Sequence, residues 1–382
     1  VFIEPRFVLI VALCWITFAV VPVRFRSWTL AAWSAAFYAL YAPAAIAIVA
    51  AAIVFTFVFA VRKQKWIVIA VVVGLLVYFK RPVGAAVTAA ADVPIGSPFV
   101  PLGFSYMALE LVHYAIERTR GRIKSGSLVE LAAFALFFPC RVAGPIKRYN
   151  DFTASVAAAE ASATDVFQGC LRILAGLFKK AVLADALARA AATVTTAATR
   201  GQAWEAMLAY SLSIYLDFSA YSDFAIGVSR LMGIRVPENF NWPYLASNIQ
   251  DFWNRWHMSL SFWVRDYVFT TTGRQLFKTR LKVRPGLIAT TSYLLAFLVV
   301  GAWHGLSVNF LVWGLYHGTL VTAFHFYKTW LPLGVASSVL YQSRAVSWAG
   351  AAVTFVLVTM GWTFFRLDVP AALHVLRLMI VN

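Results

Sequence analysis

The run AAIAIVAAAIVFTFVFAV, Ala44–Val61, contains no charged residue. A helix that crosses the hydrocarbon core of a bilayer needs about 20 mostly apolar residues, and this run reads as such a helix. Comparable segments lie on both sides of it: Phe7–Val23, Trp28–Tyr41, Trp66–Phe79, Pro101–Ile116, Leu128–Val142, Val166–Leu187, Ala203–Leu216, Leu287–Val300, Phe310–Phe326 and Ser347–Phe365. Several are too short or too polar for plain spans, which implies tilted, broken or re-entrant helices whose irregular backbone is buried in protein. The composition agrees. Of 382 residues, 61% are hydrophobic and 13% are charged, whereas a soluble domain is about half apolar and about a quarter charged. The expected fold class is all-α: a polytopic integral membrane protein with about 10–12 transmembrane helices plus re-entrant or interfacial ones.

Phe7–Val23 has no small-residue cleavage site after it and reads as a retained helix, not a removed signal peptide. Cys14, Cys140 and Cys170 are scattered through apolar runs and suggest neither a disulfide framework nor a metal site. The formal charge is +17. Its cations cluster at Arg24/Arg26, Arg62/Lys63/Lys65, Arg118/Arg120/Arg122/Lys124 and Lys278/Arg280/Lys282/Arg284. The first three clusters suit the cytoplasmic side under the positive-inside rule, with Lys80/Arg81 then on the opposite face. Their ordinary use is orientation and lipid contact; the sharper one is docking of an acidic cytosolic partner. Nucleic-acid binding is excluded, because no soluble basic domain exists to perform it.

Three regions are expected: N-terminal scaffold helices over 1–95, a core over 96–368 and a C-terminal segment over 369–382. The Pro/Gly-rich stretch Val93–Gly103 marks the first boundary. Val166–Leu187 reads as an amphipathic, interfacial helix. There is no internal repeat of the kind many transporters carry.

Four constellations hold the polar chemistry. Ionisable groups cost several kcal/mol in hydrocarbon, so those kept in a membrane protein mark sites of use. NIQDFWNRWHMSLSFWVRD, Asn248–Asp266, sets Asp251, Arg255, His257 and Ser259 among tryptophans. GAWHGLSVNFLVWGLYHG, Gly301–Gly318, holds Trp303, His304 and His317, each histidine followed by glycine, which lets a backbone or a thin substrate approach closely. An imidazole that is neutral near pH 7 is a usable general base. His317 reads as structural or supporting, and His113, His325 and His374 as structural. SLSIYLDFSAYSDFAIG, Ser211–Gly227, carries Asp217 and Asp223; Tyr215, Ser219, Ser222 and Asp223 would form one polar stripe on a helix. Such a stripe either lines a tunnel or bonds neighbouring helices. It is followed by PENFNWPY, Pro237–Tyr244, a structured turn containing Asn239. Finally, FFPCRVAGPIKRYNDF, Phe137–Phe152, breaks a helix with Pro139, Gly144 and Pro145, and Arg141, Lys147 and Arg148 suit an anionic group; a surface loop with basic anchors is the plain alternative. GxSxG, HExxH, P-loop and GxGxxG motifs are absent. Two histidines without metal or cofactor point to acid/base-assisted group transfer.

FFPCRVAGPIKRY, YLDFSAYSDFAIG, PENFNWPY, FWNRWHMSLSFWVRDYVF, GAWHG, WGLYHG and GWTFFR occur in one order over Pro101–Asp368. Together they resemble the membrane-bound O-acyltransferase (MBOAT) family, in its bacterial cell-surface branch. Cys140 departs from the glutamine or threonine common there, and PLGFSYMALELVHY diverges after its start. The resemblance implies a ring of tilted helices around a central tunnel, with His304 as the catalytic histidine and His257 as the second essential position. It implies transfer of a short acyl group, acetyl or D-alanyl-like, to a hydroxyl of a cell-surface polysaccharide or envelope polymer. The donor would be acyl-CoA or a phosphopantetheinyl acyl-carrier protein on the cytosolic side, with no tightly bound cofactor and no metal. The acceptor would be reached directly or through an extracytoplasmic acyl-relay protein, and the chain would be multi-pass in the cell inner (cytoplasmic) membrane. Arg255, Asp251, Asp217, Asp223, Ser259, Arg141, Asn239, Trp303 and His317 are the candidates to line the substrate path. The three aspartates are also candidates to orient the imidazoles. A proton- or solute-coupled transporter, or a non-catalytic subunit of an envelope-polymer export complex, are the competing readings.

Overall fold

The computed structural model describes residues 4–80, 101–332, 334 and 343–381. Among these there is no strand, and the chain is an all-helical polytopic membrane protein, as its composition predicts. Among the described residues, three helices are long and apolar enough to cross a bilayer on their own: Pro43–Val61, Pro285–His304 and Arg344–Arg366. Many of the rest have only 16 residues. At 1.5 Å per residue these reach roughly 24 Å, short of the ~30 Å hydrocarbon core, in line with the short helices expected.

The chain packs as two compact units that run across the three expected regions. The first comprises Val1–Phe178 and Ala220–Pro237. It contains α1 (Pro5–Val20), α2 (Arg26–Tyr41), α3 (Ile46–Val61), α4 (Lys65–Lys80), α5 (Phe104–Thr119), α6 (Leu128–Leu136), α7 (Tyr149–Ala157) and α8 (Ala163–Phe178). Val8, Leu9, Ile16, Val54, Ile67 and Val77 are exposed, as suits contact with lipid, whereas Cys14, Phe37, Val49, Val68 and Val72 pack inward. Most of the expected boundary stretch Val93–Gly103, and the boundary at residue 95, lie outside the described residues, as does Arg81. Its end, Gly103, takes a left-handed φ of 64° and starts α5.

Helix α6 is opened by a capping box in which Glu130 N donates to Ser127 Oγ (3.1 Å) and Ser127 N to Glu130 Oε2 (2.7 Å). It stops at Leu136 instead of running to Val142. Pro139 has no N–H to continue the ladder, and the chain turns through Phe138–Cys140. This turn delivers Arg141 to the interior. Polar groups of this unit are held largely by charge. Glu110 pairs with Lys147, Asp165 with Arg230 and Arg235, Asp223 with Arg172, and Glu117 with Arg120 and Arg122. His113 accepts from Tyr149 N at 2.9 Å, the structural role expected of it.

The second unit comprises Lys179–Ser219 and Glu238–Asn382. The expected Val166–Leu187 helix widens into a π-helix at Lys179–Ala184 before α9 (Asp185–Ala191). α10 (Arg200–Leu231) runs without a break through the polar stretch that ended the hydrophobic run at Leu216, so its first part belongs to this unit and its end to the other. Four further helices are too short or too polar to stand out by hydropathy: α11 (Ile249–Arg255), α12 (Met258–Val264), α13 (Thr270–Phe277) and a C-terminal one. α14 (Pro285–His304) and α15 (Val308–Trp330) form a closely packed hairpin. A Cβ on Gly314 would lie 2.5 Å from Phe297 O, and one on Gly301 would overlap Phe310 O, so both positions require glycine. α16 (Arg344–Arg366) packs on α15, and α17 (Val369–Val381) packs on α16.

Candidate active site

Both leading histidines lie in the second unit and are held by unlike means. His257 occupies the junction of α11 and α12, with φ 43° and ψ 52°. A left-handed conformation costs a residue with a Cβ about 1–2 kcal/mol, and it persists only where the surroundings enforce it. The PENFNWPY segment does so from both sides. Asn241 N donates to Arg255 O (3.0 Å), and Met258 N donates to Asn239 O (2.9 Å). The buried Asn239 side chain also accepts from Ser259 Oγ at 2.6 Å. The carbonyl of His257 then accepts from Leu260 N and Ser261 N, both at 3.0 Å, to open α12. Its ring is only 2% exposed and stands edge-on to Phe218, centroids 4.6 Å apart.

His304 is the last residue of α14, where Gly305 leaves the helix in extended conformation. Phe310 lies too close for any side chain at residue 305. The His304 ring is half-buried in a box of aromatic groups: Trp303 at 4.9 Å, Phe365 at 4.9 Å, Trp313 at 5.4 Å and Phe310 at 6.2 Å. Trp303 links the two sites, since its ring is also 6.0 Å from that of His257. Phe218 and Phe365 lie in the motifs YLDFSAYSDFAIG and GWTFFR, but nothing in the sequence pairs them with these histidines; they arrive from α10 and α16.

His317, fully buried on α15, extends this layer of rings. It lies 5.0 Å from Trp313 and 5.1 Å from Trp253. Gly361 makes room for it: a Cβ there would sit 2.6 Å from His317 Nε2. Trp253 and Phe297 also line a cavity of about 290 Å³. The remaining walls include Gln250, Asn254, Ser261, Arg265 and Tyr293, so it is apolar with a few polar groups. The π-helix Arg265–Phe269 forms part of its rim.

The aspartates are engaged elsewhere. Asp251 accepts from Arg255 Nε one turn away (2.9 Å), so both of these candidates form a half-exposed ion pair. Asp217 is exposed and pairs with Lys180 (2.7 Å), a cation shared with Asp185 (2.9 Å). Asp223 and Arg141 belong to the first unit, where Asp223 meets Arg172 at 3.1 Å and Arg141 lies near Glu110. Tyr215, Ser219, Ser222 and Asp223 do share one helix, α10. The second unit therefore gathers His257, His304, Trp303, Asn239, Ser259 and His317 around the aromatic layer. What this offers chemically is one half-buried imidazole and a second, enclosed one, each in contact with Trp303.

The sequence matches the membrane-bound O-acyltransferase family over residues 7–367. It is 35% identical over 320 residues to a probable alginate O-acetylase AlgI of Pseudomonas syringae pv. tomato, covering 79% of this chain and 58% of that protein. It is 38% identical over 241 residues to a teichoic acid D-alanyltransferase of Bacillus subtilis, covering 60% of each. A peptidoglycan O-acetyltransferase of Helicobacter pylori is 33% identical over 259 residues, 66% of this chain and 46% of that protein. The chain thus spans about three-fifths of the length of the first of these curated relatives.

Proposed function

This chain belongs to the membrane-bound O-acyltransferase family, and from that premise we propose that it transfers a short acyl group from a thioester to a hydroxyl of an envelope polymer. The observation that carries the reading is the half-open His304 ring, fixed at a helix end beside Trp303 and the enclosed His257. His304 takes the proton of the acceptor hydroxyl as its oxygen attacks the thioester carbonyl. The tetrahedral intermediate collapses, the C–S bond breaks, and the imidazolium returns the proton to the departing thiolate. A positioned base of this kind contributes about 10²–10⁴-fold. His257, locked by Asn239, orients the acceptor or the developing oxyanion.

The donor is acyl-CoA or an acyl-carrier protein. Its phosphates or acidic face suit the basic run Arg274, Lys278, Arg280, Lys282 and Arg284, which follows the rim of the 290 Å³ cavity. The names of the relatives make a polysaccharide, a teichoic acid or a peptidoglycan the acceptor class. A relay protein outside the membrane is the alternative first acceptor, and the bacterial inner membrane is the setting that such a donor and acceptor require.

The test is transfer from a labelled acyl thioester by membranes containing wild type or His304→Ala. Loss of transfer with unchanged protein level is expected. Transfer by the variant at the wild-type rate removes His304 from the chemistry. Solute flux into proteoliposomes without any acyl donor would instead favour a transporter.

A further inference from the structure

Among the described residues, the first unit buries more positive than negative charge around Arg141. This residue is 0% exposed, Lys147 and Glu110 only 1%. Glu110 Oε1 is occupied, accepting from Lys147 Nζ at 2.6 Å and Lys147 N at 3.2 Å. Lys147 Nζ is otherwise ringed by Phe134, Phe137 and Phe152 at 5.2–5.7 Å. Two cations therefore share one carboxylate inside an apolar shell. A guanidinium keeps its charge in proteins, and an uncompensated buried charge is strongly destabilising.

The unmatched charge sits on one edge of the guanidinium. Arg141 Nη1 donates to Ala135 O and lies 3.6 Å from Glu110 Oε2. Nε and Nη2 are buried and have no hydrogen-bond partner among the described residues. Those two nitrogens form the planar fork that takes two oxygens of a carboxylate or phosphate. The same residue lies at the start of α5: a Cβ on Gly103, the N-cap of this 16-residue helix, would overlap Arg141 O and sit 3.1 Å from Arg141 Nε. A helix N-terminus is itself positive and draws anions. Left alone, the two would repel.

We propose that the Nε/Nη2 edge of Arg141 and the N-terminus of α5 form a buried oxyanion site, holding a carboxylate or phosphate group that completes the charge balance of the first unit. The site lies within the first unit and does not depend on the acyl-transfer reading. Its ligand is either a small free oxyanion or the phosphate of an anionic lipid. With Arg141 enclosed, exchange requires the shell to open, so the ligand acts chiefly as a stabiliser of the folded unit.

The experiment is thermal unfolding of the full chain in detergent after delipidation and overnight equilibration. Sodium acetate, sodium phosphate or phosphatidylglycerol micelles are titrated at constant ionic strength. In wild type the midpoint rises saturably by about 2–4 °C or more; a rise with acetate or phosphate identifies a free oxyanion, and a rise with the lipid alone identifies a headgroup. Arg141→Leu leaves Glu110 and Lys147 as a balanced pair, so it should fold in oxyanion-free buffer and lose the response. Lys147→Met keeps the fork but removes the surplus charge, and should need at least about tenfold more ligand, the factor that 1.4 kcal/mol represents. A wild-type midpoint indifferent to all three ligands overturns the proposal, as does an Arg141→Leu or Lys147→Met response equal to that of wild type.

Discussion

The two units stabilise polar groups in opposite ways. In the first, buried and half-buried charges are matched to one another, as with Glu110 and Lys147 or Asp165 and Arg230. In the second, ion pairs such as Lys180–Asp217 and Arg265–Asp266 lie at exposed positions, and the histidines are set by aromatic rings and backbone clamps. Charge matching tolerates shape changes but fails when one partner is lost. A ring box tolerates changes of charge but fails when its geometry slips. The histidines sit in the second kind of frame, where ring faces and edges, not matched charges, set the position of the imidazoles.

The largest expected effect is on the half-buried histidine. His304→Ala should lower acyl transfer by about 10²–10⁴-fold, while the unfolding midpoint moves by only a few degrees, because Trp313 and Phe365 also contact each other and Trp303 also contacts His257. A labelled-donor assay beside a melting curve separates the two readouts. An equal loss of stability and activity would mean that the ring box depends on His304 instead of merely holding it.

Next comes the charge-matched frame. Glu110→Leu removes the one carboxylate shared by Lys147 and Arg141, stranding both cations. Loss of one partner from a buried ionic group costs about 3–5 kcal/mol, which denaturant unfolding in detergent would measure. Little loss would show that the charges of the first unit are not what holds it. In the second unit, Asn239→Ala should cost about 1–3 kcal/mol by leaving the buried Ser259 hydroxyl without its acceptor. It should also lower kcat more than it changes the midpoint, because the strained turn at His257 relaxes. A variant with unaltered kcat would dissociate the turn from function.

The contrast also explains what could be read beforehand. Spans such as Ile46–Val61 were legible because lipid imposes one composition on a long helix. His257 and His304 stood out as candidates because polar residues are rare in such a chain, and the ordered motifs added the family. What hydropathy could not reveal was α11–α13, whose shortness and charges mimic loops, or the unbroken course of α10 past Asp217. Phe218 and Phe365 are ordinary apolar residues until the fold brings them to an imidazole from 39 and 61 positions away in the chain. The partners of the aspartates were unevenly visible: Arg255 stands four residues after Asp251 in one motif, whereas Lys180 reaches Asp217 from 37 positions away in the chain.

The smallest expected effect separates the two frames by pH. Asp165 opens α8, where it accepts from Ser162 Oγ (2.8 Å), Arg230 Nε (3.2 Å) and Arg235 Nη2 (2.7 Å). The Ser162 hydrogen bond, then that of Arg230, holds its carboxyl down from 3.8 to about 2. A group whose pKa is depressed on folding contributes stability that is complete above its unfolded value and disappears as pH falls through the folded one. The gap in unfolding midpoint between wild type and Asp165→Asn should therefore be constant above about pH 5, narrow below it and close near pH 2. High salt should shrink the gap as well, because the Arg235 side chain is 59% exposed and its share of the interaction is screened. A gap that stays the same from neutral pH to about 2 would mean that Asp165 acts through the helix cap geometry, which asparagine preserves, and not through charge.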